Sequence, residues 1–337
     1  MQRNYYVLHS KELKRDLQRY LGQECLQKLH QRQALHHFLV LLRQLLLLGI
    51  SVFFLIQDFH WGIWLLAILV LGFTIFNFTV LLHEVIHRTI FAKNRPLFYK
   101  ILGYGYAIPS GISASQFTRW HLDHHQGLGS SEEDPKRHYL TPKINKRWYK
   151  ALYFTPALFP IYFRAAAQET RSYPEPLRKT IQKERFITIA LHLSLLASLY
   201  FFHSFALALR LYILPVFFVF PIAFTLNRLG QHYHIDPSKP AHWGTRMNPS
   251  RFWDFAFLWS NYHLEHHYYP NVPFYNLKKL HKKLHIFYED YHISPQTYRK
   301  LLYGWFIQNH KPHTFWDASE KKTSLEKTSP YSSKLSV

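Results

Sequence analysis

The sequence predicts an all-α integral membrane protein, with four transmembrane helices in two hairpins and a cytosolic helical cap that holds a histidine-rich metal site. Three observations predict it: four long apolar runs, a set of histidine motifs outside those runs, and Lys and Arg confined almost entirely to the segments between and beyond them.

The 337 residues include 41 Lys+Arg against 20 Asp+Glu, a formal charge of +21, and 48% of them are hydrophobic. That is enough apolar material for a substantial core, which excludes disorder as the general state. Aromatic residues make up 18% beside only 12 Gly, which excludes collagen-like and Gly-rich low-complexity classes. The single cysteine, Cys25, excludes a disulfide framework or a thiolate-held zinc site. The 24 histidines stand out, because imidazole is the commonest metal ligand.

The mean hydropathy of −0.19 looks soluble, but polar ends mask local runs. Residues 38–57 and 62–82 are each about 20 residues long, enough for an α-helix to cross the hydrocarbon, and only residues 58–61 join them. Residues 186–206 and 209–227 form a second pair, in which Pro215 and Pro221 are tolerable if the helix packs against neighbours. Arg43, inside the first run, must snorkel or find a partner. Buried helices of a soluble α-protein are the alternative, but runs this long and this free of charge are rare in soluble cores. No short apolar region with a small-residue cleavage site opens the chain, so no signal peptide is expected.

Orientation follows from the basic residues. Seven Lys+Arg precede residue 38, sixteen lie between Arg88 and Lys183, fifteen lie from Arg228 onward, and none lies in 58–61. The positive-inside rule then places both termini and the long middle segment in the cytoplasm, facing anionic inner-leaflet lipids. The charge is spread over every such segment without a nucleic-acid-binding motif, so no nucleic-acid partner is expected. The expected organisation is a cytosolic N-terminal helical segment (1–37), the first hairpin (38–82), a cytosolic and interfacial segment (83–185), the second hairpin (186–227), a cytosolic cap (228–310) and a disordered tail (311–337).

The histidines fall on one side of this map. The second span runs into His83-Glu84-Val85-Ile86-His87; the middle segment carries His121-Leu122-Asp123-His124-His125; and the cap carries His232 and His234, then His263-Leu264-Glu265-His266-His267. On a helix, positions i, i+3 and i+4 share a face, so HxxxH presents two imidazoles, and HxxHH three, to a common point. Converging neutral imidazoles suit a first-row transition metal such as iron. Random placement would give roughly one or two HxxxH patterns but only about 0.1 HxxHH, so the two HxxHH motifs carry the signal. His281 and His285 share the HxxxH spacing in a Lys-rich stretch and read as a solvated amphipathic helix. His232 is the expected additional ligand, with His234 as its alternate.

The segments HEVIHR, RWHLDHHQGLGSSEEDP and NYHLEHHYYPNVPFYNLKKLH resemble the membrane fatty acid desaturase and hydroxylase superfamily, in its bacterial acyl-lipid branch, over residues 72–301. The resemblance implies two iron ions, cycling between Fe2+ and Fe3+, with molecular oxygen as co-substrate, in a bacterial inner membrane. It implies as ligands His83, His87, His121, His124, His125, His263, His266 and His267, with His232 as the ninth, and no catalytic residue separate from them. In similar proteins with a ninth histidine, an Asn one turn earlier can hold a metal-bound water; Asn227 lies five residues before His232 rather than four. Front-end desaturases usually start the third motif with Gln and carry a fused cytochrome; His263 and the absence of such a domain point away from that branch. The implied activity is that of an oxidoreductase, a lipid acyl-chain desaturase, with hydroxylation at the same site as the alternative.

Breaking an unactivated methylene C–H bond is beyond side-chain acids and bases, which is why a metal and oxygen are needed. Asp123, Glu84 and Glu265 are placed to accept the second ring N–H of ligand histidines. The substrate chain, carried as acyl-lipid, acyl-CoA or on an acyl carrier, enters from the bilayer. Its channel is expected between the spans and the aromatic segments 98–117 and 148–163, whose Gly and Pro residues make them interfacial or re-entrant. No GxGxxG fingerprint and no cysteine set is present, and Gly103-Tyr104-Gly105 lacks the third glycine, so no bound flavin, haem or nicotinamide is expected. Electrons must come from a separate ferredoxin or small cytochrome with its reductase, steered by the basic face.

Two other classes fit less well. A ferritin-like carboxylate site needs two Glu-x-x-His motifs and two further inward Glu; Glu84-His87 and Glu289-His292 have the spacing, but the further Glu have no candidates. A metal transporter or membrane haem protein would place ligands at mid-membrane depth, where only scattered residues such as Asn77 and His192 occur.

Overall fold

The computed structural model describes residues 4–130, 132–233, 235–236 and 238–312, so nearly all of the expected disordered tail lies outside the described residues. Among the described residues there is no named β-strand, only an isolated bridge between Met247 and Gln296.

The chain opens with three short helices, α1 (Tyr5–His9), α2 (Lys11–Leu21) and α3 (Gln23–Leu29). Leu13, Leu17 and Leu21 recur every four residues, so α2 buries one leucine stripe and leaves its charged residues in solvent. The first long helix, α4 (Ala34–Ile56), is apolar on every side, and its Leu39, Leu42, Leu45, Leu46, Ile50 and Phe53 stay exposed, as a lipid-facing surface requires. Helix α5 (Trp61–Ile86) continues past the apolar run, so HEVI forms its last turn and His87 caps it. The middle segment folds into α6 (Pro96–Ala107), α7 (Ala114–Gly127), a π-helical turn (Lys136–Leu140), α8 (Arg147–Leu152) and α9 (Leu158–Thr170).

The third long helix, α10 (Glu175–Phe202), begins at Glu175 rather than near residue 186, because Pro at its start favours initiation and the polar turns simply extend it beyond the apolar part. The fourth runs from Phe205 to His232 as α11 (Phe205–Ala208), a π-helical stretch (Leu209–Val219) and α12 (Phe220–His232). Pro215 lies inside the π-helical stretch, where a missing N–H and a bulky ring distort the regular ladder. The cap follows with α13 (Arg251–Ala256), α14 (His263–Tyr268), α15 (Phe274–Lys283), α16 (His285–Asp290) and α17 (Tyr298–Leu302).

Among the described residues, four helices are long and apolar enough to cross a membrane: Ala34–Ile56, Trp61–Ile86, Glu175–Phe202 and Phe205–His232. Helix α5 is the central one, packed against α4 on one side and against the π-helical stretch and α12 on the other. Helix α10 packs mainly on α7 and α11 and turns Phe186, Leu193, Phe201 and Phe202 outward. Several polar groups in the spans find partners. Asn77 Nδ2 donates to Gln44 Oε1 at 3.2 Å, and His192 bonds the Tyr212 hydroxyl and the Ile108 carbonyl at 2.6 and 2.7 Å. Arg43 stacks its guanidinium on the Phe255 ring at 4.5 Å.

Close approach of α5 to the π-helical stretch depends on Gly72. A Cβ there would lie 2.4 Å from Val219 Cβ and 2.9 Å from the Pro215 carbonyl oxygen. Gly72→Ala should therefore lower the melting temperature in detergent, by overpacking of about 1–3 kcal/mol. An unchanged melting temperature would refute this contact.

Candidate metal centre

The three motifs ride on helix ends that meet where α5 leaves the apolar layer. His83 and His87 come from the last turn of α5; His121, His124 and His125 from α7; His232 is the last residue of α12; and His263, His266 and His267 come from α14. A serine cap fixes the start of α7, since the Ser113 hydroxyl accepts from Gln116 N–H at 3.0 Å. Glu184 of α10 accepts in turn from the Ser113 and Ser115 hydroxyls at 2.6 and 2.5 Å.

All nine side chains converge, but not on a common point. Their nitrogens form two groups, each with its ligand atoms within 4.8 Å of one another: His83, His87, His121, His125 and His266 in the first, His124, His232, His263 and His267 in the second. Each HxxHH motif is split by its helix. Positions i and i+4 face one group and position i+3 the other, so α7 gives two residues to the first and one to the second, while α14 does the reverse. The single meeting point expected for each HxxHH is corrected by this geometry.

The donor set fits metal ions. In the first group Nε2–Nε2 distances are 3.0 Å for His83–His266, 2.8 Å for His87–His121, and 3.0 Å for both His121–His125 and His125–His266. In the second they are 3.1 Å for His124–His232, 3.0 Å for His232–His263, 3.3 Å for His232–His267 and 2.9 Å for His263–His267. Two imidazole nitrogens bound at right angles to one ion at about 2.1 Å lie about 3.0 Å apart. Burial, with the neighbouring imidazoles adding to it, holds His87, His121, His125, His263, His266 and His267 well below the ordinary histidine pKa, so these rings are neutral and keep a lone pair.

Hydrogen bonds at the far side of the rings fix the tautomer. His124 Nδ1 lies 2.8 Å from Asp134 Oδ1, and His232 Nδ1 lies 3.1 Å from the Trp243 carbonyl oxygen. Both partners accept, so both Nδ1 atoms carry the proton, and the facing Nε2 atoms present two bare lone pairs that cannot bond each other. A metal cation bound by both lone pairs removes that conflict. In the first group, Lys136 Nζ lies 2.9 Å from His121 Nδ1. Burial, reinforced by Arg228, pushes the Lys136 ammonium down to about 7, so the neutral amine can accept the imidazole proton.

The sequence model of the fatty acid desaturase family matches residues 59–299, which contain all nine histidines. The chain belongs to the fatty acid desaturase family. It is 23% identical to the sphingolipid delta(4)-desaturase DES1 of Mus musculus over 265 residues, 76% of each chain. It is 26% identical to the dihydrorhizobitoxine desaturase of Bradyrhizobium elkanii over 245 residues, 66% of this chain and 68% of the other. Its match to the DES1 of Xenopus tropicalis, at 28% identity, covers 101 residues, 29% of this chain and 31% of the frog protein. Family membership makes the chain an oxidoreductase of the fatty acid desaturase type.

In this desaturase the carboxylates predicted to steady ligand histidines divide. Glu84 Oε1 lies 3.4 Å from His83 Nδ1, a long contact, while its other oxygen accepts from Thr89 Oγ1 at 2.6 Å and Phe274 N–H at 3.1 Å. Asp123 instead accepts from Arg119 Nε at 3.0 Å. Glu265 accepts from the Tyr288 hydroxyl and pairs with His281 Nδ1, both at 2.5 Å. His281 is thus buried and committed to Glu265, which corrects its reading as half of a solvated pair. The helix breaks at Leu284, and only His285 is exposed. Asp134, the carboxylate that does hold a motif histidine, was missed, because spacing alone cannot choose it over Glu132 and Glu133. Asn227 donates to Ser260 Oγ and accepts from Gln231 Nε2, both at 2.7 Å. His234 lies outside the described residues.

A cavity with about 840 Å3 of free space, its open mouth included, lies against His83, His121, His263 and His266. Phe76, Val80, Phe117, Tyr162 and Phe224 form its apolar wall. A second space of about 400 Å3 continues from it between Leu158, Phe159, Phe163 and Phe220. Residues of both aromatic segments expected to border a channel, 98–117 and 148–163, therefore do so.

Asp134→Asn should weaken metal retention at the second group by about 10–100-fold, while Asp123→Asn leaves it near the parent value. Metal content after dialysis against graded chelator checks this. Equal losses in both variants would refute the assignment.

Proposed function

We propose that this desaturase-family chain uses two iron ions and molecular oxygen to remove two hydrogens from adjacent methylenes of a lipid acyl or alkyl chain. The observation that carries the proposal is the pair of facing lone pairs on His124 and His232, held by Asp134 and the Trp243 carbonyl, in the four-imidazole group beside the group of five. The ligands are His83, His87, His121, His125 and His266 for one ion and His124, His232, His263 and His267 for the other. When bound, the ions supply the reduction of dioxygen to two waters, which takes two electrons from the chain's C–H bonds and two from a donor. Five imidazoles on three helices and four on three helices hold the ions rigidly, because most of the rings are buried and several are pinned at Nδ1. Phe117, Tyr162 and Phe224 hold the hydrocarbon against His83, His121, His263 and His266 and keep water away from it. The names of the matched relatives, desaturases of sphingolipids and of dihydrorhizobitoxine, support removal of hydrogen as the outcome.

The reading extends to the surroundings. The distribution of Lys and Arg favours cytoplasmic termini and histidines, in a bacterial inner membrane. The substrate chain arrives from the bilayer as acyl-lipid, acyl-CoA or on a carrier. A separate ferredoxin or small cytochrome, kept reduced by its reductase, delivers electrons to the basic face.

Two outcomes test this. A host expressing the chain should contain lipid chains that have lost two hydrogens, and His266→Ala should abolish them, as read by mass spectrometry of total released chains. Chains that gain one oxygen instead would make the enzyme a hydroxylase. Under donor-limited conditions turnover should fall as salt rises, and a rate indifferent to ionic strength would remove the electrostatic docking of the donor.

A further inference from the structure

The free space beside the metal centre is a string of three cavities whose order is fixed by the residues they share. The apolar second space and the large cavity share Thr79, Phe117, Tyr162 and Phe224. The large cavity and a third space of about 280 Å3 share Lys136 and Arg228. The second and third have no residue in common. Wall character therefore changes along the string from aliphatic and aromatic to polar, with Arg137, Arg228 and Lys136 beside Asp134 at the far end and the metal-facing histidines in between.

The polar wall of the large cavity has unused hydrogen-bonding capacity. Gln231 spends its amide N–H on Asn227, and Asn227 spends its own on Ser260. The Gln231 side-chain Oε1, the Ser260 hydroxyl proton and the Arg228 guanidinium have no hydrogen-bond partner among the described residues, and all three residues line the cavity. Arg228 lies over the Phe224 ring at 5.9 Å, with Tyr153, Tyr162 and Asp134 as its electrostatic neighbours. Of the nearby carboxylates, Asp134 is committed to His124, and Glu84, which lines the same cavity, accepts from Thr89 and the Phe274 N–H. This wall offers mainly donors and positive charge, so it suits an oxygen acceptor and repels a cation.

Building on the desaturase reading, we propose that Arg228, Gln231 and Ser260 bind the oxygen-bearing polar end of the substrate while its tail lies in the apolar second space, so that the double bond is positioned by distance from the polar end. Gln231 is adjacent to His232, Arg228 is one helical turn from it, and Ser260 is three residues before His263. One turn separates side-chain origins by about 5–6 Å. An extended chain with bonds near 1.5 Å advances roughly 1.3 Å per carbon. Adding about 3 Å for the hydrogen bond to the polar end gives a span of about 9 Å, so the reacting carbons lie within about seven carbons of that end. The matching ligand chemistry is a carboxylate, or the carbonyl and hydroxyl of an amide-linked headgroup.

The test supplies the full-length enzyme, in a host with a working electron donor, with saturated chains of three lengths. One set ends in a free carboxylate and one in a hydroxyl-bearing amide. Double-bond positions are then read by mass spectrometry after oxidative cleavage. The expected result is a position constant from the polar end, within about seven carbons, at every length; the set that is converted identifies the headgroup. A position constant from the methyl end, or beyond that range, overturns the inference while leaving the desaturase reading intact. No desaturated product from metal-loaded enzyme overturns the desaturase reading and this inference with it. A binding measurement independent of turnover accompanies it: the rise in melting temperature of the purified protein on adding each chain or a plain alkane. Arg228→Gln and Ser260→Ala should each weaken binding of the polar-ended chain about tenfold, leave the effect of the alkane unchanged, and keep the parent metal content. Equal effects on both ligands would overturn the assignment.

Discussion

The structure depends on one electrostatic constraint: nine neutral imidazoles, most of them buried, are packed together with neighbouring Nε2 atoms 2.8–3.3 Å apart, and at least His124 and His232 have no proton to share between them. An unsatisfied buried polar atom costs about 1–3 kcal/mol. A cluster of them at the meeting point of four helices would be a centre of instability without cations to accept the lone pairs. Cations held between the rings would therefore link metal binding to folding of this pole, by stabilising the arrangement that binds them. The same linkage accounts for the short, irregular helices of the cap. Their task is to deliver ring nitrogens at fixed distances, and long uninterrupted helices could not bring His232, at the end of a span, beside His263 on a one-and-a-half-turn helix.

Packing further out holds those ends in place. Glu84 receives Thr89 and the Phe274 backbone, tying the last turn of α5 to the start of α15. Glu265, between two ligand positions, is clamped by His281 and Tyr288, which ties α14 to α15 and α16. The N-terminal segment closes the outside. The Tyr6 hydroxyl donates to the His267 carbonyl at 2.9 Å, Tyr20 bonds Asp290, and the Tyr291 hydroxyl bonds Asp16 at 2.5 Å. Each contact spends a polar group on orientation, and the apolar stripe of Leu13, Leu17 and Leu21 supplies the burial that keeps it there.

Much of this was legible in the sequence because each signal had a single physical cause. Apolar runs of bilayer length marked the spans, and two HxxHH motifs were too improbable to be accidental. Their assignment to two groups was not legible. Period alone says that i, i+3 and i+4 share a face, but the angle between i+3 and i+4 matters only once a second helix approaches. Partners distant in sequence were hidden for the same reason. Asp123 sits inside a motif and turns to Arg119, Asp134 sits beyond it and turns back to His124, and nothing local separates them. His281 looked solvated because lysines surround it, yet tertiary packing placed a carboxylate against its ring. The start of α10 at Glu175, ahead of the apolar run from residue 186, has a simpler cause: hydropathy marks where lipid begins, and a helix does not have to start there.

The split of the HxxHH motifs has a consequence for how the two groups relate. Helix α7 contributes His121 and His125 to one and His124 to the other; α14 contributes His266 to the first and His263 and His267 to the second. Each group therefore needs both helices, and neither can reach its geometry while the other is unformed. Rotating α7 to improve one set of nitrogens displaces the other set, because the residues are successive on a rigid helix. The distance between the groups is thus set by the difference in direction between adjacent helical positions, not by a flexible loop. For a reaction that needs two ions acting on one substrate chain, that is the economical arrangement: two short helices fix both centres and the separation between them, while α5 and α12 bring the same point to the end of the apolar cavity.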